Sequence, residues 1–555
     1  MKKIYLLLFT AANFVIFVAC KTVSRDESGH PSGKETEQPV NTSGSAIVKT
    51  EFICNPPKTP ELHASTIEET SYGLIAAWFG GTKEKNPDVG IWVSRNDHNT
   101  GWTVPVEVAT GVTLKADGTT ERYPCWNPVL FQAHNGGPLM LFYKVGPTTP
   151  EWWGMLITST DGGKTWSKPQ RLPDNIYGPI KNKPVSIGEN GMLCPSSITS
   201  RLHFERTDDW GKTWTRTPSV TDRSIPVIQP SILFYGNGKL QAVGRTLKDK
   251  RVFSIWSADN GSTWSNFHLL KLPNPNSGTD AVTLKDGRQL LVYNHSEDFR
   301  SPLNVALSDD GENWYQVLVI ENDKDGGYSY PAVIQTKDGL VHITYSWRRK
   351  NIKHVVIDPA KLTGKPILAW NFEAAGITGA ETSSTSTFTV SGLEKAVLSR
   401  GAGITAQKAS NSFAAAFPVN ADLAAAEAGR AYYQLTVKAK NGYKVSLSSI
   451  GITLRVQTDA PKTYLWKYSV DGGYNFTPIG EPYTVTSGFT DNNGLQQPQL
   501  ELAQVKGLQQ VDSSGKIILR LYAWGGNSVT ANNGFRIGKS NAVTDALVIN
   551  GTVIK

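Results

Sequence analysis

The sequence is poor in cysteine, in charged residues and in long apolar runs. Its 555 residues include 4 cysteines and 4 methionines, and 19% are charged. Apart from Cys20, the cysteines are Cys54, Cys125 and Cys194, an odd number without Cys-x-x-Cys spacing or nearby histidine pairs. We therefore expect no disulfide framework, no metal site and no cofactor.

The one apolar run of note opens the chain. Lys2 and Lys3 precede an apolar stretch from Ile4 to Val18, which is short of the roughly 20 residues that a spanning helix needs. This pattern predicts an export signal over residues 1–20. Ala19-Cys20 at its end resembles the bacterial lipobox, which implies that Cys20 is lipidated and anchors the exported protein to the outer membrane, on the cell surface or the periplasmic face. A conventional signal peptide cut nearby is the alternative.

Residues 21–50 are polar and poor in aromatics, which predicts a flexible linker. The length favours two or more domains after it, and the 51 glycines, 16 tryptophans and 19 tyrosines favour turns and aromatic strands. The net charge of +8 would suit an anionic partner. For an exported protein we expect an acidic glycan rather than nucleic acid.

A short Asp/Gly/Trp segment repeats through the first part of the chain. It occupies residues 159–166, 207–214 and 257–264, with a copy one residue shorter at 308–314. Its terminal tryptophans step by 48, 50 and 50 residues, at Trp166, Trp214, Trp264 and Trp314. This period is typical of one four-stranded propeller blade.

A second periodicity counts the blades. A glycine followed by an alternating apolar strand recurs at Gly73, Gly137, Gly191, Gly238, Gly287 and Gly339. The Asp/Gly/Trp segments resemble the Asp-box of sialidases, which implies an all-β fold with a six-bladed β-propeller over residues 51–365. In an Asp-box the aspartate satisfies turn amides and the glycine supplies a positive φ, so we expect these residues to be structural.

The resemblance also implies a substrate site. Asp88 lies twenty-five residues after His63, which is the spacing of the family's general acid/base. Arg245 and Arg300 match two of the arginines that grip the substrate carboxylate, a task suited to a bidentate guanidinium. Tyr330 matches the nucleophile, and Tyr328 is an alternative match.

Two positions depart from the family pattern. His63 stands where the family has an arginine, and Gln229 stands where it has the glutamate that activates the tyrosine. These departures leave a histidine and a tyrosine that could perform acid–base chemistry. Lys144 and Arg348, near predicted strand ends, are further candidate ligand contacts.

A second all-β domain is predicted over residues 366–555. Alternating runs such as 432–438 and 516–524, broken by Gly and Asn turns, predict a C-terminal β-sandwich. Tyr522 and Trp524 are possible stacking residues on a carbohydrate, but they could equally serve packing.

Three functions fit these residues. The first is an exo-acting, sialidase-like glycoside hydrolase on sialylated or uronate-capped glycans, with Asp88, Tyr330 and a modified grip at His63. The second is a uronate lyase using His63 and Tyr330. The third is a surface glycan-binding lipoprotein without catalysis. Gln229 favours the last two, whereas Asp88, Arg245 and Arg300 favour an enzyme.

Overall fold

Strands and turns dominate the computed structural model, which describes residues 46–97, 101–323, 326–362, 365–374, 376–485, 494–503, 505–530, 532–538 and 545–555. The predicted signal, Cys20 and nearly all of the predicted linker lie outside the described residues. Within the described part, the helical segments are α1 (Leu423–Ala428) and the 3-10 turns Thr149–Glu151, Pro359–Lys361 and Lys506–Leu508. None of the helices there is long and apolar enough to cross a bilayer.

The first part of the chain is built from short strands. In chain order they are β1 (Ile47–Phe52), β2 (Glu61–Thr70), β3 (Gly73–Gly81), β4 (Gly90–Asn96), β5 (Val106–Ala109), β6 (Val112–Leu114), β7 (Thr120–Arg122), β8 (Cys125–Gln132), β9 (Leu139–Val145), β10 (Trp153–Ser159), β11 (Gln170–Arg171), β12 (Val185–Ile187) and β13 (Gly191–Ile198). They continue as β14 (Arg201–Thr207), β15 (Thr215–Arg216), β16 (Val227–Phe234), β17 (Leu240–Thr246), β18 (Arg251–Ser257), β19 (His268–Pro273), β20 (Asp280–Thr283), β21 (Gln289–Asn294), β22 (Leu303–Ser308), β23 (Tyr315–Glu321), β24 (Tyr328–Gln335), β25 (Val341–Trp347) and β26 (Asn351–Ile357).

In the described residues these strands form six four-stranded antiparallel sheets and the hairpin β6–β7. Five sheets follow chain order, from β2–β5 to β20–β23, and the sixth has the order β1-β26-β25-β24. Each of the six predicted glycines opens or closely precedes the second strand of one sheet. First strands of several neighbouring sheets contact each other, as β2 does β8 and β24, and β20 does β16 and β24.

Several first strands share one irregularity near their start. A β-bulge interrupts β2 after His63, β8 after Trp126, β16 after Ile228 and β24 after Ser329. Each bulge contains a non-glycine residue with positive φ, namely Ala64 (57°), Asn127 (35°), Gln229 (56°) and Tyr330 (53°). Such residues are strained and concentrate at functional sites, which directs attention to this end of the sheets.

The Asp-box turns have the structural role predicted for them. Asp209 accepts hydrogen bonds from the backbone amides of Lys212 (3.0 Å) and Thr213 (2.9 Å), and Asp161 does the same in its own turn. The box tryptophans reach the preceding sheet, since Trp264 stacks on Phe204 with ring centroids 3.9 Å apart. These turns therefore tie neighbouring sheets together.

The second part of the chain contains two further sheets. Its strands are β27 (Lys365–Trp370), β28 (Ser383–Thr385), β29 (Phe388–Thr389), β30 (Val397–Arg400), β31 (Thr405–Ala406), β32 (Ser412–Ala416), β33 (Tyr432–Val437), β34 (Lys444–Val456), β35 (Thr463–Ser469), β36 (Thr477–Thr484), β37 (Leu495–Gln496), β38 (Leu500–Glu501), β39 (Val511–Asp512), β40 (Ile517–Trp524), β41 (Gly534–Gly538) and β42 (Leu547–Ile554). One sheet has the order β28-β30-β33-β40-β35-β36, and the other is centred on β34. Both supply side chains to one apolar cluster that includes Trp370, Tyr433 and Leu519.

Candidate functional site

Tyr330 lies at the bulge of β24 with its side chain partly exposed. Its phenolic oxygen accepts a hydrogen bond of 2.8 Å from Nη2 of Arg245. The other terminal nitrogen of Arg245 donates to the carbonyl oxygen of Asn276 at 2.8 Å. The guanidinium is thus held against the phenol, where it can stabilise negative charge on the phenolic oxygen.

His63 packs directly on Tyr330. The ring centroids are 4.4 Å apart, and only 2% of His63 is exposed. The Nδ1 atom of His63 lies 3.0 Å from the Ser346 hydroxyl, which also accepts the Ala64 amide at 3.1 Å. Burial, reinforced by nearby cations, lowers the pKa of His63 well below its usual 6.5. The imidazole is therefore neutral at pH 7.

Four cations surround these two rings: each of Arg349, Arg300, Arg245 and Lys181 depresses the pKa of His63. The guanidinium carbon of Arg300 lies 6.0 Å from the centre of the Tyr330 ring, and Nζ of Lys181 lies 5.8 Å from it. Arg349 forms a 2.7 Å ion pair with Glu84. Within the described part of the chain, no carboxylate lies within 4.0 Å of the charged nitrogens of Arg245, Arg300 or Lys181. Their positive charge is therefore not neutralised by an ion pair, and the pocket favours an anionic ligand.

Asp88 is exposed in the loop between β3 and β4. Its carboxylate accepts hydrogen bonds from the amide (2.8 Å) and the hydroxyl (2.9 Å) of Thr82, within the same loop. The loop borders the site through Glu84, which pairs with Arg349. The structure brings the loop of Asp88 to the site, while its carboxylate is bound to Thr82 rather than to Tyr330.

Gln229 occupies the bulge of β16, beside the strand that carries Arg245. It is 5% exposed, and its Oε1 atom is buried without a hydrogen-bond partner. The backbone N–H of Gln229 donates to the Ser197 hydroxyl at 3.2 Å, and its backbone carbonyl accepts from the side-chain amide of Asn182 at 3.1 Å. The position is preorganised but carries a neutral amide, which cannot take a proton from Tyr330.

Three other predicted residues have different surroundings. Lys144 is fully buried and donates to the Pro179 carbonyl, so it has no surface to offer a ligand. Tyr328 is 2% exposed and packs edge-on against Tyr345, and burial raises the pKa of its phenol. Arg348 pairs with Asp323 and lies over the Trp347 ring. We leave these three residues out of the site.

Two cations of the pocket, Arg349 and Lys181, were not predicted as ligand contacts, although both lie in polar runs near predicted strand ends, at 347–349 and 181–183. Arg349 reaches the site because Arg348 and Arg349 adopt φ of 53° and 56° in a tight turn, which no sequence pattern indicates. Lys181 had a weak sequence signal. The segment 181–184 ends in a proline directly before the first strand of its sheet, and the bulges with Asn127-Pro128 and Tyr330-Pro331 lie near the start of the first strands of theirs. No group of three or more potential metal ligands occurs among the described residues.

Comparisons with known proteins identify relatives of the first part of the chain. Residues 73–343 match the BNR repeat-like domain family. An anhydrosialidase from Macrobdella decora is 26% identical over 257 residues, which cover 38% of this chain and 32% of the relative. A sialidase from Bacteroides fragilis (strain YCH46) is 21% identical over 237 residues, covering 38% and 41%. The match thus spans about a third of the length of the first relative and about two fifths of the second.

Among solved structures, the NanB sialidase from Streptococcus pneumoniae is similar, with 11% identity and a TM-score of 0.47. The match covers 57% of this chain and 71% of that one.

Proposed function

Residues 73–343 belong to the sialidase-like family of BNR repeat domains, and from this premise we propose that the protein is an exo-acting glycosidase that releases a carboxylate-bearing sugar from an acidic glycan. The observation that carries the proposal is the 2.8 Å hydrogen bond from Arg245 to the Tyr330 phenol inside a cationic pocket. Arg300 and Arg245 would bind the sugar carboxylate there.

In this proposal Tyr330 is the nucleophile. Its phenolic oxygen forms a bond to the anomeric carbon as the glycosidic C–O bond breaks, and the leaving oxygen takes a proton from Asp88. Arg245 stabilises the negative charge that develops on the phenolic oxygen, in place of the activation that a glutamate at position 229 would provide. The neutral imidazole of His63 accepts the phenolic proton. Water then attacks the anomeric carbon and gives a proton to the Asp88 carboxylate, the bond to Tyr330 breaks, and the phenolate takes its proton back from His63.

The architecture we propose has two domains. The six four-stranded sheets are the blades of a propeller over residues 51–365, and the contacts between their first strands support a common axis. The pairing of β1 with β26 would join the two ends of the ring. Residues 366–555 would form the β-sandwich, since both of their sheets share one apolar cluster.

We also propose that the protein is exported and held at the outer membrane through a lipid on Cys20. The support is the N-terminal pattern of basic residues, apolar run and Ala19-Cys20.

One observation favours a second activity, elimination from a uronate glycan. His63 is buried, neutral and in contact with Tyr330, so the pair could act as base and acid while arginine neutralises the carboxylate. The base would remove the proton beside that carboxylate, and the acid would protonate the leaving oxygen. The product would contain a C=C bond that absorbs in the ultraviolet.

The test is incubation of the protein with sialylated and uronate-capped oligosaccharides, following released sugar and ultraviolet absorbance. We expect an acidic sugar without absorbance, and a loss of at least about a hundredfold in rate for Tyr330→Phe. Tyr235→Phe is the matched control. The Tyr235 hydroxyl also makes a side-chain hydrogen bond, to Gln241, but it lies at the opposite end of β16 from Gln229 and so away from the site. Absorbance that depends on His63 would establish elimination instead. Binding without release of any product would refute both activities.

A further inference from the structure

Lys181 joins three sheets at the site. It lies between β11 and β12, its side chain is nearly fully buried, and its ammonium donates to the carbonyl of Thr279 at 2.8 Å and to that of Pro331. Thr279 immediately precedes β20, and Pro331 belongs to β24. One amine therefore fixes the backbone that follows Tyr330.

The packing around Lys181 also restricts the position of the Tyr330 ring. A Cβ atom on Gly278 would lie 3.3 Å from Cε of Lys181 and 3.3 Å from Cδ2 of Tyr330, so the absence of a side chain lets these two residues lie close together. Tyr330 itself has a φ of 53° and precedes a proline, a combination that local preferences disfavour. Tertiary contacts must hold it there.

We propose that Lys181 is a positioning residue, which holds Tyr330 against Arg245 and whose positive charge stabilises negative charge on the Tyr330 oxygen. This inference rests on the proposed function of Tyr330 and assigns Lys181 no contact with substrate.

The charge of Lys181 changes near neutral pH. Burial lowers the pKa of its ammonium to about 7, against the opposing effect of Asp280 and with smaller contributions from Lys183 and Arg245. The charged or titratable groups that face it are Asp280 of β20, Lys183 of its own segment, Arg245 of β17, Tyr330 of β24 and His63 of β2.

A neutral amine keeps two N–H donors, which is enough for both carbonyls. Raising the pH through about 7 therefore removes the charge without removing the hydrogen bonds. Because the charged form is the one that assists Tyr330, we expect kcat to fall as pH rises through that range.

The experiment compares Lys181→Met with Lys144→Met in the full chain. Lys144 is a matched control, since it too is fully buried, donates to a backbone carbonyl and has a pKa lowered to about 7 by burial, but its contact is Pro179. For Lys181→Met we expect kcat to fall roughly tenfold or more, KM to change little, and the descending limb near pH 7 to disappear. Lys144→Met should keep that limb.

Lys181→Arg provides a second variant in case Lys181→Met does not fold. Arginine stays charged at every pH of interest, so the limb should vanish while more of kcat remains than in Lys181→Met. A limb that persists in either Lys181 variant would overturn the proposed role of the charge.

Crystal structures of the two methionine variants test positioning without any assay. We expect Tyr330 to move beyond 3.5 Å from Arg245 in Lys181→Met and to stay in Lys144→Met. An unmoved Tyr330 in Lys181→Met would overturn the positioning role. If the wild-type protein cleaves no glycan, the proposed function fails, and this comparison still decides whether Lys181 holds Tyr330.

Discussion

The imidazole of His63 lies on the phenol of Tyr330, with ring centroids 4.4 Å apart and planes inclined by 53°. The two residues come from the neighbouring first strands β2 and β24, each at a bulge. A neutral ring thus occupies the position next to Tyr330 where a sialidase-like pattern places an arginine. The roles of His63 and Tyr330 therefore distinguish the two proposed activities, hydrolysis and elimination.

His63→Gln should lower kcat by about a hundredfold if His63 accepts the phenolic proton. Because the pKa of His63 is well below 6.5, its neutral form persists down to acidic pH, and protonation would abolish its role only there. The rate between pH 6 and 8 should therefore contain no ascending limb from His63. Rate profiles of the wild type, His63→Gln and the exposed control His134→Gln check this. An ascending limb near pH 6.5 that disappears only in His63→Gln would contradict it.

Gln229→Glu should place a carboxylate at the bulge of β16, beside the strand whose Arg245 bonds the Tyr330 phenol. The new group has almost the same shape, and it would supply a carboxylate base in addition to His63. We expect a roughly tenfold gain in kcat on a sialylated oligosaccharide, with Gln229→Met as the uncharged control. Equal rates for folded Gln229→Glu and the wild type would argue against Tyr330 as the attacking group.

The repeat was the part of the fold most accessible from sequence. Glycines such as Gly287, whose φ is 89°, and the Asp-box turns depend on local backbone conformation, so their spacing indicated the six sheets. The pairing of β1 with β26 carries no such signal, because it joins segments about 300 residues apart.

The site was only partly predictable. The structure brings His63, Arg245 and Tyr330 together, as the resemblance implied. Lys144 lies near a strand end, but its burial depends on packing by other sheets, which spacing cannot reveal. Lys181 reaches the site for the same kind of reason, through contacts with two distant sheets.

Asp209→Ala should destabilise the fold without changing the chemistry. It removes an acceptor from two turn amides, and we expect a loss of about 1–2 kcal/mol in the free energy of unfolding with kcat unchanged. Asp208→Ala is the control, because Asp208 makes only an exposed ion pair with Arg206, for which we expect less than about 0.5 kcal/mol. Urea unfolding and a rate assay measure both. Equal loss in the two variants would contradict the role of the turn.

The same turn should make the free energy of unfolding depend on pH in the acidic range. Hydrogen bonds led by that from the Thr213 amide lower the pKa of Asp209 from 3.8 to about 2. Its stabilising contribution is present above the unfolded pKa and is lost as pH falls through about 2. Asp209→Ala should therefore flatten the decline in stability below pH 4.

Cys20→Ser should release the protein from membranes if Cys20 carries the lipid anchor. The hydroxyl cannot form the thioether, so an exported variant should appear in the soluble fraction while the wild type sediments with membranes. Fractionation of cells followed by immunoblotting measures this. Sedimentation of both forms to the same extent would refute lipidation at Cys20.

The sheet that contains Tyr330 also contains the first described strand of the chain. The pairing of β1 with β26 runs from Ile47 opposite Ile357 to Phe52 opposite Lys353. Two strands, β26 and β25, separate β1 from β24 in this sheet. Tension applied at the amino end is therefore carried first by the sheet that holds the reactive phenol. Mechanical load would unzip β1 from β26 before it reached any of the other five sheets.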